Sequence, residues 1–134
     1  MANAIYPKWK EAILNGGSNV ALSGTVRATL VDLADYNYNA AHDFIDDVPV
    51  AARVATVTLV SGKSYTNGLF DAADVTFPAV TGDPSEALII WIDTTVETTS
   101  RLVAFFDTGV TGLPVTPNGG DINIAWNVSG IFQL

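Results

Sequence analysis

Two apolar stretches, residues 87–95 and 101–109, dominate the pattern of hydrophobic and polar positions along the chain. Each runs from an apolar segment into an Asp-Thr pair, at Asp93 and Asp107, and only a few polar residues separate the two. Apolar runs of this length, bounded by turn residues, are typical of buried strands. The pattern therefore predicts two adjacent antiparallel strands that are buried on at least one face.

Alternation of apolar and polar residues predicts further strands. Residues 25–32 place Val26, Ala28 and Leu30 on one face and Val31 on the other. The remaining predicted strands fall within residues 51–60, 64–70, 74–77, 121–127 and 130–134, with turns at Asn67-Gly68 and at residues 71–73. Turn signals recur at short intervals between them, a spacing typical of an antiparallel sandwich or barrel.

The first element is predicted to be a helix. Residues 8–14 place Trp9 and Ile13 one turn apart, Pro7 suits a first-turn position, and Asn15 with two glycines suits a stop. A helix this short must be held by packing. The sequence thus predicts one all-β domain over residues 1–134, an antiparallel β-sandwich or jelly-roll-like barrel, with one short N-terminal helix in residues 1–15.

Composition changes the picture of the surface. Charged residues make up only 15% of the chain, against about 25% in typical domains. Fifteen valines and fourteen threonines suit pleated, half-buried surfaces. A surface with so little charge favours a protein in permanent contact with others. We therefore expect self-association into a symmetric oligomer.

The charge balance excludes some partners. The net charge is −8 and no basic cluster is present, which argues against nucleic acid and against an anionic membrane surface. The absence of cysteine excludes disulfides and thiolate metal sites. Neither a signal-peptide pattern nor an apolar run of membrane-spanning length is visible. We expect synthesis and folding in the cytoplasm.

Residues 36–49 concentrate titratable groups and leave two interpretations open. Clustered carboxylates are the ligands of hard cations, and this segment offers three, Asp43, Asp46 and Asp47. The other interpretation is a polar loop with a helical turn, which Phe44 and Ile45 anchor to the core, and it is the one we prefer. The single histidine, His42, has no nucleophile beside it in the sequence. We therefore predict no metal and no cofactor.

Residues 105–109 end in Asp107-Thr108-Gly109, which matches the Asp-Thr-Gly motif of retropepsin-like aspartic proteases. Too little chain follows Gly109 to build that family's fold. Asp93 and Thr94 also repeat the pattern without the glycine, as an ordinary strand-ending turn would. No set of residues supplies both a nucleophile and a base, so we predict that the protein is not an enzyme.

Three segments, residues 2–12, 30–44 and 112–121, resemble a family of small tailed-bacteriophage proteins that are described as hypothetical or virion structural. The resemblance covers essentially the whole chain and carries no catalytic residues. It implies a structural part of a virus particle, located in the virion and in the host cytoplasm during assembly.

A capsid decoration (cement) protein is the leading interpretation. Such a protein binds a repeated lattice, here the major capsid protein, as a symmetric oligomer and through apolar contacts. Aromatic anchors dominate interface energies, so the candidate docking residues lie near the N-terminus: Ile5, Tyr6, Pro7 and Trp9. In the other interpretation, Trp9 and Ile13 only close one end of the core.

The alternative is a tail protein, namely a fibre, spike or receptor-binding component. Sugar-binding sandwiches stack sugars on exposed aromatic rings, and the candidates are Tyr36, Tyr38, Tyr65, Trp91 and Trp126. Tyr36 and Tyr38 are the best placed, because they lie in a polar, Asn-rich stretch, whereas Trp91 lies in an apolar run.

Overall fold

The computed structural model describes residues 3–134, and antiparallel strands make up most of its regular structure. The elements in chain order are β1 (Ala4–Ile5), α1 (Pro7–Leu14), β2 (Val26–Val31), β3 (Arg53–Thr58), β4 (Leu69–Phe70), β5 (Val75–Phe77), β6 (Ala87–Ile92), β7 (Leu102–Phe106), β8 (Ile122–Ile124) and β9 (Phe132–Gln133). Single 3₁₀ turns occupy Ile45–Asp47, Val50–Ala52, Thr66–Gly68 and Glu97–Thr99.

A five-stranded antiparallel sheet with the order β1-β7-β6-β2-β3 forms the centre of the molecule. Ile89 of β6 lies opposite Thr29 of β2 on one side and Phe105 of β7 on the other. Two ribbons, β4-β9 and β5-β8, complete the sheet structure of the described residues. The three sheets do not close into a barrel, and the class is all-β with one α-helix in residues 3–134.

Both faces of the central sheet are covered. On one face, Leu30 and Ile90 pack with residues of the two ribbons, such as Phe77 and Ile124, in the larger core cluster. On the other face, a second cluster joins Ile89 to side chains of the segment between β2 and β3. All six residues of β6 are therefore buried, and the strand reads as a continuous apolar run because neither of its faces meets water.

The principal predictions from the sequence are confirmed. The two apolar stretches form β6 and β7, which pair antiparallel. The alternation over residues 25–32 forms β2, with its two sets of side chains in the two core clusters. The N-terminal helix α1 begins at Pro7. It is the described part's only α-helix, and no helix there is long and apolar enough to cross a membrane.

The Asn67-Gly68 turn predicted within residues 64–70 is confirmed, and Leu69–Phe70 after it is a strand, whereas before it Ser64 makes an isolated bridge with Asp71. Asn67 has a φ of 55°, in the left-handed region, and the chain makes a 3₁₀ turn over Thr66–Gly68. An Asn-Gly pair favours this conformation, because both residues tolerate positive φ. The predicted strand over residues 51–60 starts late, since Val50–Ala52 forms a 3₁₀ turn.

We expect Ile90→Ala to lower the free energy of unfolding by about 2–5 kcal/mol, because truncating a buried side chain leaves a cavity. Ile90 is fully buried and lies between Ala28 and Ala104 in the sheet, whose small side chains cannot fill the space. Urea denaturation measures the change. The control Val128→Ala alters a fully exposed valine and should stay within about 0.5 kcal/mol of wild type. A loss for Ile90→Ala no larger than that of the control would contradict this packing.

Candidate functional site

An apolar groove of about 310 Å³ opens where α1, the β4-β9 ribbon and the chain before β2 meet. None of its lining side chains is charged. Its principal walls are Trp9, Ile13, Tyr65, Phe70, Phe132 and Leu134. In a chain with a net charge of −8, a neutral concave surface of this size is a candidate binding site.

Contacts among the aromatic rings fix the shape of the groove. The ring of Phe132 meets Trp9 edge to face at 5.8 Å between centroids and lies 5.4 Å from Phe70. Tyr65 stacks on Phe70 at 6.0 Å. The Trp9 indole N–H donates to the Val20 carbonyl at 3.0 Å, which sets the orientation of the indole. The walls are thus held by packing and hydrogen bonds before any partner arrives.

The chain before β2 is tied down by a short polar cluster. Lys63 Nζ donates to the carbonyl oxygens of Leu22 and Gly24 at 3.0 and 2.8 Å. The Tyr65 hydroxyl also donates to Leu22, at 3.2 Å. These bonds satisfy backbone groups that the irregular chain leaves without a ladder partner, and they keep this side of the groove in place.

The four candidate docking residues do not form one exposed patch. Tyr6 and Trp9 are buried, Ile5 is half-buried and Pro7 is exposed at the start of α1. Tyr6 belongs to the core cluster on one face of the sheet, whereas Trp9 belongs to the cluster on the other face, beside the groove. Trp9 and Ile13 pack in the larger core cluster and line the groove beside it. The docking role of the four residues stays a prediction.

A hydrogen-bonded chain of side chains links the N-terminus to the segment between β2 and β3. The Tyr6 and Tyr36 hydroxyls lie 2.8 Å apart, and the Tyr36 hydroxyl lies 2.9 Å from His42 Nδ1. Burial raises the pKa of Tyr6 far above its ordinary value, and the neighbouring Tyr36 adds to that shift. Burial also raises the pKa of Tyr36, to about 12. These hydrogen bonds join the segment before α1 to the segment between β2 and β3, and the two tyrosine hydroxyls in them stay protonated.

The sugar-binding candidates are mostly inaccessible. The expectation that Tyr36 stands exposed in a polar loop is wrong, since its ring is buried, and Trp91 and Trp126 are buried as well. Tyr38 is half-buried, with its ring 5.1 Å from that of Tyr6. Among the five candidates, Tyr65 is the exposed one, at 45%, and it lies at the groove.

The three carboxylates that converge in residues 3–134 are not the predicted ones. They are Asp32, Asp35 and Asp83, with one oxygen of each within 4.8 Å of the others. Asp32 follows β2 and Asp83 precedes β6, and the antiparallel pairing of these strands brings the two together. These strands are far apart in the sequence, so the sequence pattern gave no signal for this group. Asp32 Oδ1 already accepts the Ala34 N–H at 2.9 Å, and exposed acidic groups often lie together without an ion.

Of the predicted trio, Asp46 and Asp47 lie in the 3₁₀ turn Ile45–Asp47, and Asp43 lies just before it. The Asp43 N–H donates to Asp47 Oδ2 at 2.9 Å. Burial raises the pKa of Asp43, and the adjacent Asp47 carboxyl raises it further. Ile45 is fully buried within this turn, and Phe44 is half-buried. The segment is therefore the anchored polar loop of the preferred interpretation.

The Asp-Thr-Gly sequence ends β7 in a turn that Asn3 holds. Asn3 Oδ1 accepts the N–H groups of Asp107 and Thr108 at 2.8 and 3.0 Å, and Asn3 Nδ2 donates to the Thr108 carbonyl at 2.8 Å. Gly109 takes a φ of +72°, which a glycine adopts without strain. The motif is a strand-ending turn, as the repeated Asp93-Thr94 pair indicated.

Comparison with known proteins found no match, either to a protein-family model or among curated proteins. The function is therefore argued from the residues and their geometry. In the described part of the chain, the groove is the feature best suited to binding.

We expect stability to fall as the pH rises above about 10, because the folded pKa of Tyr36 is about 12 against 10.0 for a free tyrosine. A group with a raised folded pKa gives its full stabilisation below the unfolded pKa and loses it as the pH rises towards the folded one. When the pH is raised from 9 to 11, the unfolding free energy should fall in both proteins. The fall should be about 1 kcal/mol smaller in Tyr36→Phe than in wild type, since one pKa unit corresponds to about 1.4 kcal/mol. Urea denaturation at the two pH values measures both losses. Equal losses would contradict the burial of this phenol.

Proposed function

We propose that the protein is a non-enzymatic structural component of a tailed-bacteriophage virion, a capsid decoration protein that binds the major capsid protein and self-associates. The observation that carries the proposal is the preformed, uncharged groove with aromatic walls. It supports binding to another macromolecule through apolar side chains. The resemblance of the sequence to small phage virion proteins gives the biological setting.

The chemistry of the groove favours a protein partner that brings apolar side chains. Its lining exposes mainly carbon, and Leu134 (56% exposed) and Tyr65 form its open side. Aromatic anchors in well-packed pockets contribute most of the energy of protein interfaces. Because the walls are already fixed, binding costs little ordering entropy. A lattice of identical capsid subunits presents the same apolar side chains many times.

Structural roles for the imidazole of His42 and for the turn that contains Asp107 support a binding role over catalysis. His42 is hydrogen-bonded to Tyr36, and the Asp107 backbone lies in the turn that Asn3 holds. We also propose that the fold is a β-sandwich. The two ribbons form the second layer over one face of the five-stranded sheet, as the second sheet does in a β-sandwich.

A tail-associated role with glycan binding is the second candidate, and Tyr65 is the observation that favours it. Its ring is accessible at the groove and is backed by Phe70, an arrangement on which a sugar ring can stack. A glycan array tests this role. Binding that Tyr65→Ala abolishes would favour it, whereas no glycan binding by the wild-type protein would exclude it.

Leu134→Glu should weaken binding to phage heads assembled without this protein at least tenfold, about 1.4 kcal/mol or more. The substitution places a carboxylate at the mouth of an apolar site, where a docked partner would desolvate the charge. Co-sedimentation of purified protein with such heads measures the affinity. Leu134 is exposed, so the fold should persist, and circular dichroism checks it.

Val128→Glu is the matched control, since it adds the same charge at an exposed valine outside the groove. It should bind heads like wild type. Equal binding of wild type, Leu134→Glu and Val128→Glu would show that the groove is not part of the interface. Failure of the wild type to bind heads would overturn the decoration role. Removal of residues 1–14 is a poorer test, because Tyr6 and Trp9 are part of the core.

A further inference from the structure

The strand β3 leaves one side of its backbone without a partner. It is the last strand of the five-stranded sheet, and Leu59 N–H donates to the Val26 carbonyl at its end, at 2.8 Å. Because backbone groups of a regular strand alternate in direction, Thr56 and Thr58 point theirs away from β2. In the described residues, these groups have no backbone hydrogen bond outside the central sheet.

The two edges of the central sheet differ. At the opposite edge, β1 has only two residues, and the preceding Asn3 is held to the turn after β7. Very short edge strands are a common protection against pairing with other chains. At the β3 edge, the strand has six residues, and β5 lies near it without a backbone hydrogen bond between them. Thr56 in its middle is exposed.

Two of the usual devices that block an open edge, lysine and proline, are absent from residues 54–58. The register irregularity of this strand pair lies at its Arg53 end, because Ala55 and Arg53 lie opposite Leu30 and Val31 and leave Val54 as the extra residue. The Arg53 guanidinium is itself engaged by both Glu97 carboxylate oxygens at 2.9 Å. Beyond this irregularity, residues 55–58 form a regular and uncharged edge in a chain that carries a net charge of −8.

Exposed valines lie beyond both ends of this strand. Val50 is 73% exposed before it, and Val60 is 78% exposed after it. In an antiparallel pairing of the strand with itself, the Val50 end of one copy meets the Val60 end of the other. Such a pairing covers four exposed valine side chains and brings no like charges from residues 54–60 together.

We propose that two copies of the protein pair antiparallel through their β3 edges, about a two-fold axis near Thr56, to give one continuous sheet. An extended strand offers the backbone donors and acceptors that can pair with the outward-pointing groups of this edge. The same strand reversed is self-complementary, as a two-fold interface requires. The dimer deepens the proposed function and rests on its self-association, for which it supplies the interface.

Amide hydrogen exchange tests the dimer directly. At a concentration where sedimentation velocity finds the protein associated, the amides of Thr56 and Thr58 should exchange at least tenfold more slowly than in a dilute, monomeric sample. Wild-type self-association without slower exchange at these amides would overturn the β3 interface and leave self-association intact. A protein that stays monomeric at high concentration would overturn both. Protection that appears only when phage heads are added would show that another protein, and not a second copy, pairs with the edge.

Charge variants give a second, independent test. Thr56→Lys and Thr56→Glu each place like charges across the two-fold axis, so each alone should raise the dimer dissociation constant at least tenfold. An equimolar mixture should associate again, as heterodimers, because opposite charges then face each other. Val128→Lys and Val128→Glu are the controls and should self-associate like wild type. Unchanged association of both Thr56 variants, or no recovery in the mixture when circular dichroism shows both folded, would overturn the proposal.

Discussion

Burial of β6 on both faces is the constraint on which the rest of this structure depends. A six-residue strand without a polar side chain is stable only if the same chain covers it twice. The ribbons and α1 cover one face, and the segment between β2 and β3 covers the other. The long segments that connect the central strands pack over these two faces. The hydrogen bonds from Tyr6 through Tyr36 to His42 hold the segment between β2 and β3 in place.

The groove lies where α1 and the β4-β9 ribbon stop covering the first face of the sheet. α1 is a single short helix, and the β4-β9 ribbon has only two residues in each strand, so the core is left open between them. The groove and the β3 edge are separate surfaces. In the proposed assembly, the groove would make apolar contacts with the lattice, and the edge would make backbone hydrogen bonds with a second copy.

The sequence predicted those features that depend on local pattern. Residues 87–92 and 102–106 are apolar without interruption, and α1 has its proline at the first position, so their structures follow from periodicity and turn chemistry. The Asn67-Gly68 pair likewise predicted the turn in which Asn67 takes a positive φ. The groove was beyond prediction, because its walls come from positions as distant as Trp9 and Leu134 and meet only after folding. The burial of Tyr36 was hidden for the same reason, since its partner Tyr6 lies far away in sequence.

Electron cryo-microscopy of intact phage particles tests the central claim most directly, because it locates the protein and shows which surface faces the capsid. The account predicts density for this chain repeated over the head, with the groove formed by Trp9, Phe132 and Leu134 turned towards the capsid shell. Density confined to the tail, or copies on the head whose groove opens to solvent, would contradict it.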